Sequence, residues 1–165
     1  MMHQAFVALG SNLQNPVQQL ERAFTALVKL PSTKLIQKSS LYKTAPIDCP
    51  ALTAMPVPDF INAVAEIQTE LSPKDLLIAL HGIEDAAGRE RPYVNAPRVL
   101  DCDLLLYENQ IINSDKLILP HPRMHTRGFV LLPLFEIAPE LSMPIHGKIA
   151  ALINAELSKD ITKLS

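Results

Sequence analysis

The chain has 165 residues, 48% apolar and 19% charged, with a formal net charge of -2 at pH 7 and a mean hydropathy of +0.14. That composition belongs to a globular chain, not a disordered one, and residues 1–165 read as a single domain with its own core. Without a Lys/Arg block or an acidic excess, nucleic acid and anionic membranes are not expected partners.

Two cysteines, Cys49 and Cys102, stand in different contexts without metal-type spacing, which fits a reducing cytoplasm better than a disulfide scaffold. The apolar run behind Met1-Met2-His3-Gln4 ends at Gly10, too early for a signal peptide or a membrane span. The expectation is a cytoplasmic protein, acting as a monomer on small molecules.

Ala5 to Leu9 reads as a central strand that leaves through a turn at Gly10-Ser11-Asn12. One glycine there is a weak anion-site signal, and with no G-x-x-x-x-G-K-[ST] in the chain a tight turn is the better reading, so P-loop chemistry is excluded. Asn15-Pro16 supplies a cap and a first-turn proline, and Val17, Leu20, Phe24, Leu27 and Val28 predict a helix over 16–29, stopped near Pro31. Residues 34–43, with Ile36, Leu41 and Tyr42, predict one strand. Pro46, Pro50, Pro56 and Pro58 make residues 44–59 a long loop.

Phe60 to Thr69 predicts a strand with Ile61, Ala63, Ala65 and Ile67 on one face and Phe60, Asn62, Val64 and Glu66 on the other. Ser72-Pro73-Lys74-Asp75 opens a helix whose buried stripe is Leu76, Leu80, Ile83 and Ala87 and whose end is Gly88. An Arg-rich loop leads to the strand Arg98–Tyr107, with Asp101 and Asp103 on one face and Leu100, Cys102, Leu104 and Leu106 on the other. Further on, Arg127 to Ala138 is apolar and partly helical despite Pro133, and Gly147 to Leu157 predicts a final helix burying Ile149, Leu152 and Ile153.

The order strand, helix, strand, strand, helix, strand is the α+β, ferredoxin-like βαββαβ arrangement: an antiparallel sheet with both helices on one face and an active-site cleft on the other. Phe60, Asn62, Asp101 and Asp103 would then share the open face, walled by loops 44–59, 89–98 and 113–126.

Two carboxylates on one strand face repel each other, and a hard divalent cation, Mg2+ above all, relieves that cost; a structural ion pair with Arg98 is the plainer alternative. Arg89, Arg91 and Arg98 lie within ten positions and supply planar cationic forks for phosphate, or are ordinary solvated arginines. Pro120-His121-Pro122-Arg123-Met124-His125-Thr126-Arg127 places two His and two Arg in a turn. His121 could join the aspartates at a zinc or iron site, but among so many arginines a phosphate contact suits it better. Phe60 and Asn62 read either as a filler and a satisfied core amide or, since asparagine is depleted inside strands, as a surface that recognises a flat, hydrogen-bonding ring.

Together, Phe6-Val7-Ala8-Leu9-Gly10-Ser11-Asn12-Leu13, Ser40-Leu41-Tyr42-Lys43-Thr44-Ala45-Pro46, Asp59-Phe60-Ile61-Asn62-Ala63-Val64, Gly88-Arg89, Pro97-Arg98-Val99-Leu100-Asp101-Cys102-Asp103 and Leu119-Pro120-His121-Pro122-Arg123-Met124, followed by Arg127-Gly128-Phe129-Val130, occur in the order of one family. From about residue 5 to residue 141 the chain resembles the 6-hydroxymethyl-7,8-dihydropterin pyrophosphokinases. The resemblance implies a folate-pathway enzyme that moves the terminal pyrophosphoryl group of ATP to the hydroxymethyl oxygen of the pterin, releasing AMP. It implies two Mg2+ ions on Asp101 and Asp103, with Arg89, Arg98 and His121 as the catalytic phosphate contacts. Phe60 and Phe129 would sandwich the pterin, while Thr44, Asn62 and the backbone near Ile47 satisfy its polar edge. His81, Glu84 and Arg127, with Arg89, Arg98 and His121, would line the ATP site. The chain departs from the family's frequent Arg-Trp pair, reading Tyr93-Val94-Asn95 there.

Two rivals remain: an RNA-binding module of the same topology, disfavoured by charge and by few strand aromatics, and a ligand-binding regulatory domain.

Overall fold

The computed structural model describes residues 1–12, 15–44, 59–88 and 99–164. Its first strand, β1 (His3–Ser11), is followed by α1 (Pro16–Val28), β2 (Thr33–Lys38), β3 (Leu41–Thr44), β4 (Phe60–Thr69), α2 (Pro73–Ala87) and β5 (Asp101–Tyr107). These strands form one antiparallel sheet in the order β3, β4, β1, β5, with β2 pairing the other half of β4, which is the expected α+β arrangement.

The expected single strand over 34–43 is two. Ser39 sits at the break, where its N–H donates to the Val64 carbonyl and its hydroxyl accepts from the Val64 N–H, both at 2.9 Å. A serine side chain thus stands in for a backbone partner, and the chain changes course without losing hydrogen bonds.

One core lies between the sheet and the two helices. Val7 and Leu9 of β1, Ile61, Ala63, Ala65 and Ile67 of β4, and Cys102 and Leu104 of β5 meet Leu20, Phe24 and Leu27 of α1 and Leu76, Leu80 and Ile83 of α2. Leu76 and Leu80 are fully buried, so truncating either to Ala costs about 2–5 kcal/mol. The α2 start is as expected: the Ser72 hydroxyl accepts from the Asp75 N–H at 3.1 Å and Pro73 occupies the first turn.

At α1 the expected cap is different. Asn15 has φ 62° and makes no side-chain capping bond; its carbonyl accepts from the Gln19 N–H. Val17 and Val28 of the expected stripe are exposed, and Ala23 takes the buried position between Leu20 and Phe24.

A further correction falls on β5. Between Phe6 and Val7 the pairing steps from Leu106 to Leu104, leaving Leu105 as the extra residue of a β-bulge. The bulge reverses the alternation beyond it, so Leu106 packs on the face opposite Leu104 and Tyr107 takes the place on the helix side.

The second sheet face is not wholly open. After the small hairpin β6 (Ile112–Asn113) and β7 (Ile118–Leu119), a 3-10 turn (Met124–Thr126) leads into α3 (Gly128–Ile137). Val130, Leu131 and Leu134 of α3, with Met124, pack on Phe6, Ala8, Val64, Leu105 and Leu106. The hairpin β8 (Ser142–Met143) and β9 (Gly147–Lys148) and the short α4 (Ile149–Leu152) complete that layer.

The expected final helix over 147–157 is thereby corrected. Only four residues are helical, because Ile153 is extended and Asn154 Oδ1 accepts from the Leu157 N–H, closing a turn that competes with a helix. The chain then forms β10 (Ile161–Leu164), which pairs with β3 at the sheet edge. No described helix is long and apolar enough to cross a membrane.

Candidate active site

Where α3 leaves the second face uncovered, a cavity of about 540 Å³ opens over the sheet. Its floor is Ala8, Leu9 and Gly10 of β1, Thr44 of β3, Phe60 and Asn62 of β4, and Asp101 and Asp103 of β5; its wall is Arg123, Thr126, Arg127, Gly128, Phe129 and Val130. The register explains the assembly. Gly10 pairs with Asn62 on one side and Asp101 on the other, and Thr44 pairs with Phe60. From β3 to β5 is three strand spacings, about 14 Å, so the Asn62 amide and the Phe60 ring occupy one end and the carboxylates the other.

At the ring end, Asn62 is 7% exposed, and its amide N–H donates to the Thr44 hydroxyl at 3.2 Å. Gly10, expected in a turn, is inside β1, where a Cβ would lie 2.8 Å from Asn62 Oδ1. A bare backbone there lets the amide lie across the strand. Phe129 lines the cavity from the first turn of α3, with the Arg127 guanidinium 5.5 Å from its ring centroid.

At the acidic end, Asp101 and Asp103 line the cavity while Cys102 between them points into the helix-side core. Burial, then Glu84, Asp103 and Asp101, push the Cys102 thiol well up, so it stays protonated. The strand's start is tied at both sides: the Ser11 hydroxyl donates to the Val99 carbonyl, and the Cys102 N–H donates to Glu84 Oε2 at 2.8 Å. Two hard carboxylate groups on one strand face, opening on a cavity, are the donor type that Mg2+ takes; among the described residues no cluster of three or more His, Cys, Asp or Glu could form an all-protein cage.

His121 is half-buried beside the cavity and is not among the residues that line it. Its backbone N–H donates to the Leu105 carbonyl at 3.0 Å, and its Nδ1 accepts from the Arg123 backbone N–H at 3.2 Å, which leaves Nε2 to carry the proton of the neutral ring. Burial pushes its basicity down; Asp103 opposes this, and Arg127 and Arg123 reinforce it.

Of the residues singled out in the sequence, Thr44, Phe60, Asn62, Asp101, Asp103, Arg127 and Phe129 come together around the cavity. His81 is exposed on α2, and Glu84 sits against the β5 backbone; neither lines the cavity. Ile47, Arg89 and Arg98, and the expected walls over 45–58 and 89–98, lie outside the described residues. Arg123 and Thr126 line the cavity as part of the expected wall over 113–126, although neither was singled out as a site residue. Their signal was the His/Arg cluster itself, but a 3-10 turn does not reveal from spacing which side chains face inward.

An antiparallel sheet with α1 and α2 behind it, and in front a cavity carrying carboxylates, arginines and two phenylalanine rings, defines an α+β protein of the enzyme class. Residues 6–139 match the family model described as 7,8-dihydro-6-hydroxymethylpterin-pyrophosphokinase (HPPK). The chain is similar to the 2-amino-4-hydroxy-6-hydroxymethyldihydropteridine pyrophosphokinase of Haemophilus influenzae, at 45% identity over 98% of each chain, and to that of Pseudomonas aeruginosa, at 43% identity over 94% and 93%. Among solved structures it superposes on Plasmodium falciparum HPPK-DHPS crystallised with pteroate, with a TM-score of 0.75, 15% identity and 99% of this chain covered. It spans 46% of that longer chain. The chain belongs to the HPPK family and is a diphosphotransferase of folate biosynthesis.

Proposed function

We propose that this chain transfers the β,γ-pyrophosphoryl group of ATP to the hydroxymethyl oxygen of 6-hydroxymethyl-7,8-dihydropterin at the cavity over the sheet. The observation that carries the assignment of residues is the division of that cavity into an amide-and-ring end at β3–β4 and a carboxylate end at β5. Asn62 and Thr44 hold the polar edge of the pterin, with the backbone near Ile47, and Phe60 and Phe129 stack on its faces. Each good stacking contact contributes about 0.5–1.5 kcal/mol beyond burial.

The substrate oxygen attacks the β-phosphorus, the bond from that phosphorus to the α,β-bridging oxygen breaks, AMP leaves, and the hydroxyl proton passes to solvent. Phosphoryl transfer of this kind needs in-line placement and charge neutralisation more than a covalent nucleophile. Arg89, Arg98 and Arg127 supply cationic charge, and His121 supplies a neutral hydrogen-bond donor. Asp101 and Asp103 would hold two Mg2+ ions, which neutralise polyphosphate charge when bound. His81 and Glu84 lie on α2 outside the cavity and would meet ATP where it extends past β5. The proposal extends to a single domain over residues 1–165, a monomer in the cytoplasm, where the buried unpaired thiol of Cys102 would stay reduced.

The test is chromatography of nucleotides after incubation with ATP, Mg2+ and the pterin. AMP formed only when both pterin and Mg2+ are present supports the proposal. ADP, or no pterin-dependent product from well-folded protein, overturns it.

A further inference from the structure

β10 is the last described element, and its two faces do different things. Leu164 pairs with Leu41, and both side chains pack against the helix-side core. Ile161 and Lys163 point the other way, toward α3. Lys163 Nζ lies 3.7 Å from Glu136 Oε2, near the end of α3. At the start of α3 the approach is closer: a Cβ on Gly128 would lie 2.1 Å from the Leu157 carbonyl oxygen and 2.9 Å from Ile161 Cδ1. The turn before β10 and its first residue therefore press on the backbone immediately before Phe129. The same Ile161 pairs with Thr44, the hydroxyl acceptor of Asn62.

We infer that β10 is a positioning element for the pterin end of the cavity, a strap that sets the distance between Phe129 on the wall and Thr44 on the floor. The inference rests on the function proposed above. One strand touches both sides of that end: it backs the first turn of α3 and extends the sheet beyond β3. The carboxylate end is remote from it, because β4 and β1 stand between β3 and β5. Ile161 touches no substrate in this account. Its Cδ1 packs beside the Leu157 carbonyl against the bare backbone of Gly128, and its own backbone holds the last residue of β3 in the sheet.

The geometry predicts a split between the two substrates. Replacing Ile161 by Ser removes the packing on Gly128 while keeping the backbone pairing, so the wall loosens from the floor at one end only. The experiment compares wild type, Ile161→Ser and Ile161→Val by steady-state AMP formation, alongside backbone amide NMR of the ligand-free proteins. The expected result for Ile161→Ser is a roughly tenfold rise in KM for the pterin, the size of one lost well-packed contact, with KM for ATP and kcat within about twofold. Ile161→Val, which keeps a branched apolar side chain, stays within about twofold of wild type throughout. The Thr44 and Phe129 amide resonances shift in Ile161→Ser, and those of Asp101 and Asp103 do not.

Unchanged pterin KM, or an equal rise in both KM values with a lowered melting temperature, would make β10 merely structural and overturn the inference. If wild type gives no pterin-dependent AMP, the function proposed above fails. The NMR comparison then still decides whether Ile161 positions the Phe129 wall against the Thr44 floor.

Discussion

The Glu136 carboxylate offers the most calculable perturbation. It accepts from the Tyr42 hydroxyl at 2.8 Å, the Ser40 hydroxyl at 2.8 Å and the Ser40 N–H at 3.0 Å, so it joins the end of α3 to the start of β3. Burial alone would raise its pKa, but the Ser40 and Tyr42 hydrogen bonds and the Lys163 charge outweigh burial and hold it below the ordinary carboxylate range. The Tyr42 hydroxyl is pushed up by burial and by the same carboxylate, so it remains a donor at every working pH.

Tyr42→Phe removes one hydrogen bond to a charged acceptor, a class worth about 1.5–3 kcal/mol. The Glu136 side chain keeps 26% exposure, so water recovers part of the loss and the low end, about 1.5 kcal/mol, is expected. For a chain of this length that lowers the melting temperature by about 3–6 °C. The contribution of a carboxylate with a depressed folded-state pKa is complete above its unfolded value and is lost as the pH falls through its folded value. The Tyr42→Phe penalty should therefore be full at neutral pH and shrink in acid, and Glu136→Gln should flatten the acid side of the stability curve. Urea unfolding of wild type, both single variants and the double variant, at neutral and acid pH, measures this. A penalty independent of pH, or a double variant whose loss equals the sum of the single losses, would refute the reasoning.

Asp103→Asn should lower pterin-dependent AMP formation by at least about 100-fold while the pterin still binds, read by turnover and by pterin fluorescence titration. Gly10→Ala should displace the Asn62 amide, whose oxygen lies 2.8 Å from the new Cβ, and raise KM for the pterin several-fold with little change for ATP. His146 stacks on His125 with ring centroids 4.2 Å apart, and burial, then His125, hold its pKa below the ordinary value. The unfolded chain thus takes up the proton first, so this pair's contribution is whole above the ordinary histidine range and declines as the pH falls, a dependence that His146→Asn should remove from pH-dependent melting curves. In a Cys49→Ser background, Cys102 should resist iodoacetamide at pH 8 until the chain is unfolded, since burial keeps its thiol protonated.

What the sequence determined by itself was carried by local periodicity. The alternation over Phe60–Thr69, the Ser72 and Pro73 start of α2 and the Asp101/Asp103 pair are each set by neighbouring residues, and each is found where the pattern puts it. Two alternations read separately were enough to place Asn62 and Asp101 on one face, because both flank Gly10 in the sheet. What only the tertiary structure decided depends on partners far away in the chain. The bulge at Leu105 exists because β1 pairs with β5 out of step, and it moves Leu106 to the other face. The break at Ser39 depends on Val64, and the fate of residues 147–164 depends on β3 and on Gly128. Spacing along the chain fixes which side chains share a face. It does not fix which strand supplies the partner, nor how closely another segment's carbonyl can approach a glycine, and in this fold those two quantities shape the Thr44 end of the cavity.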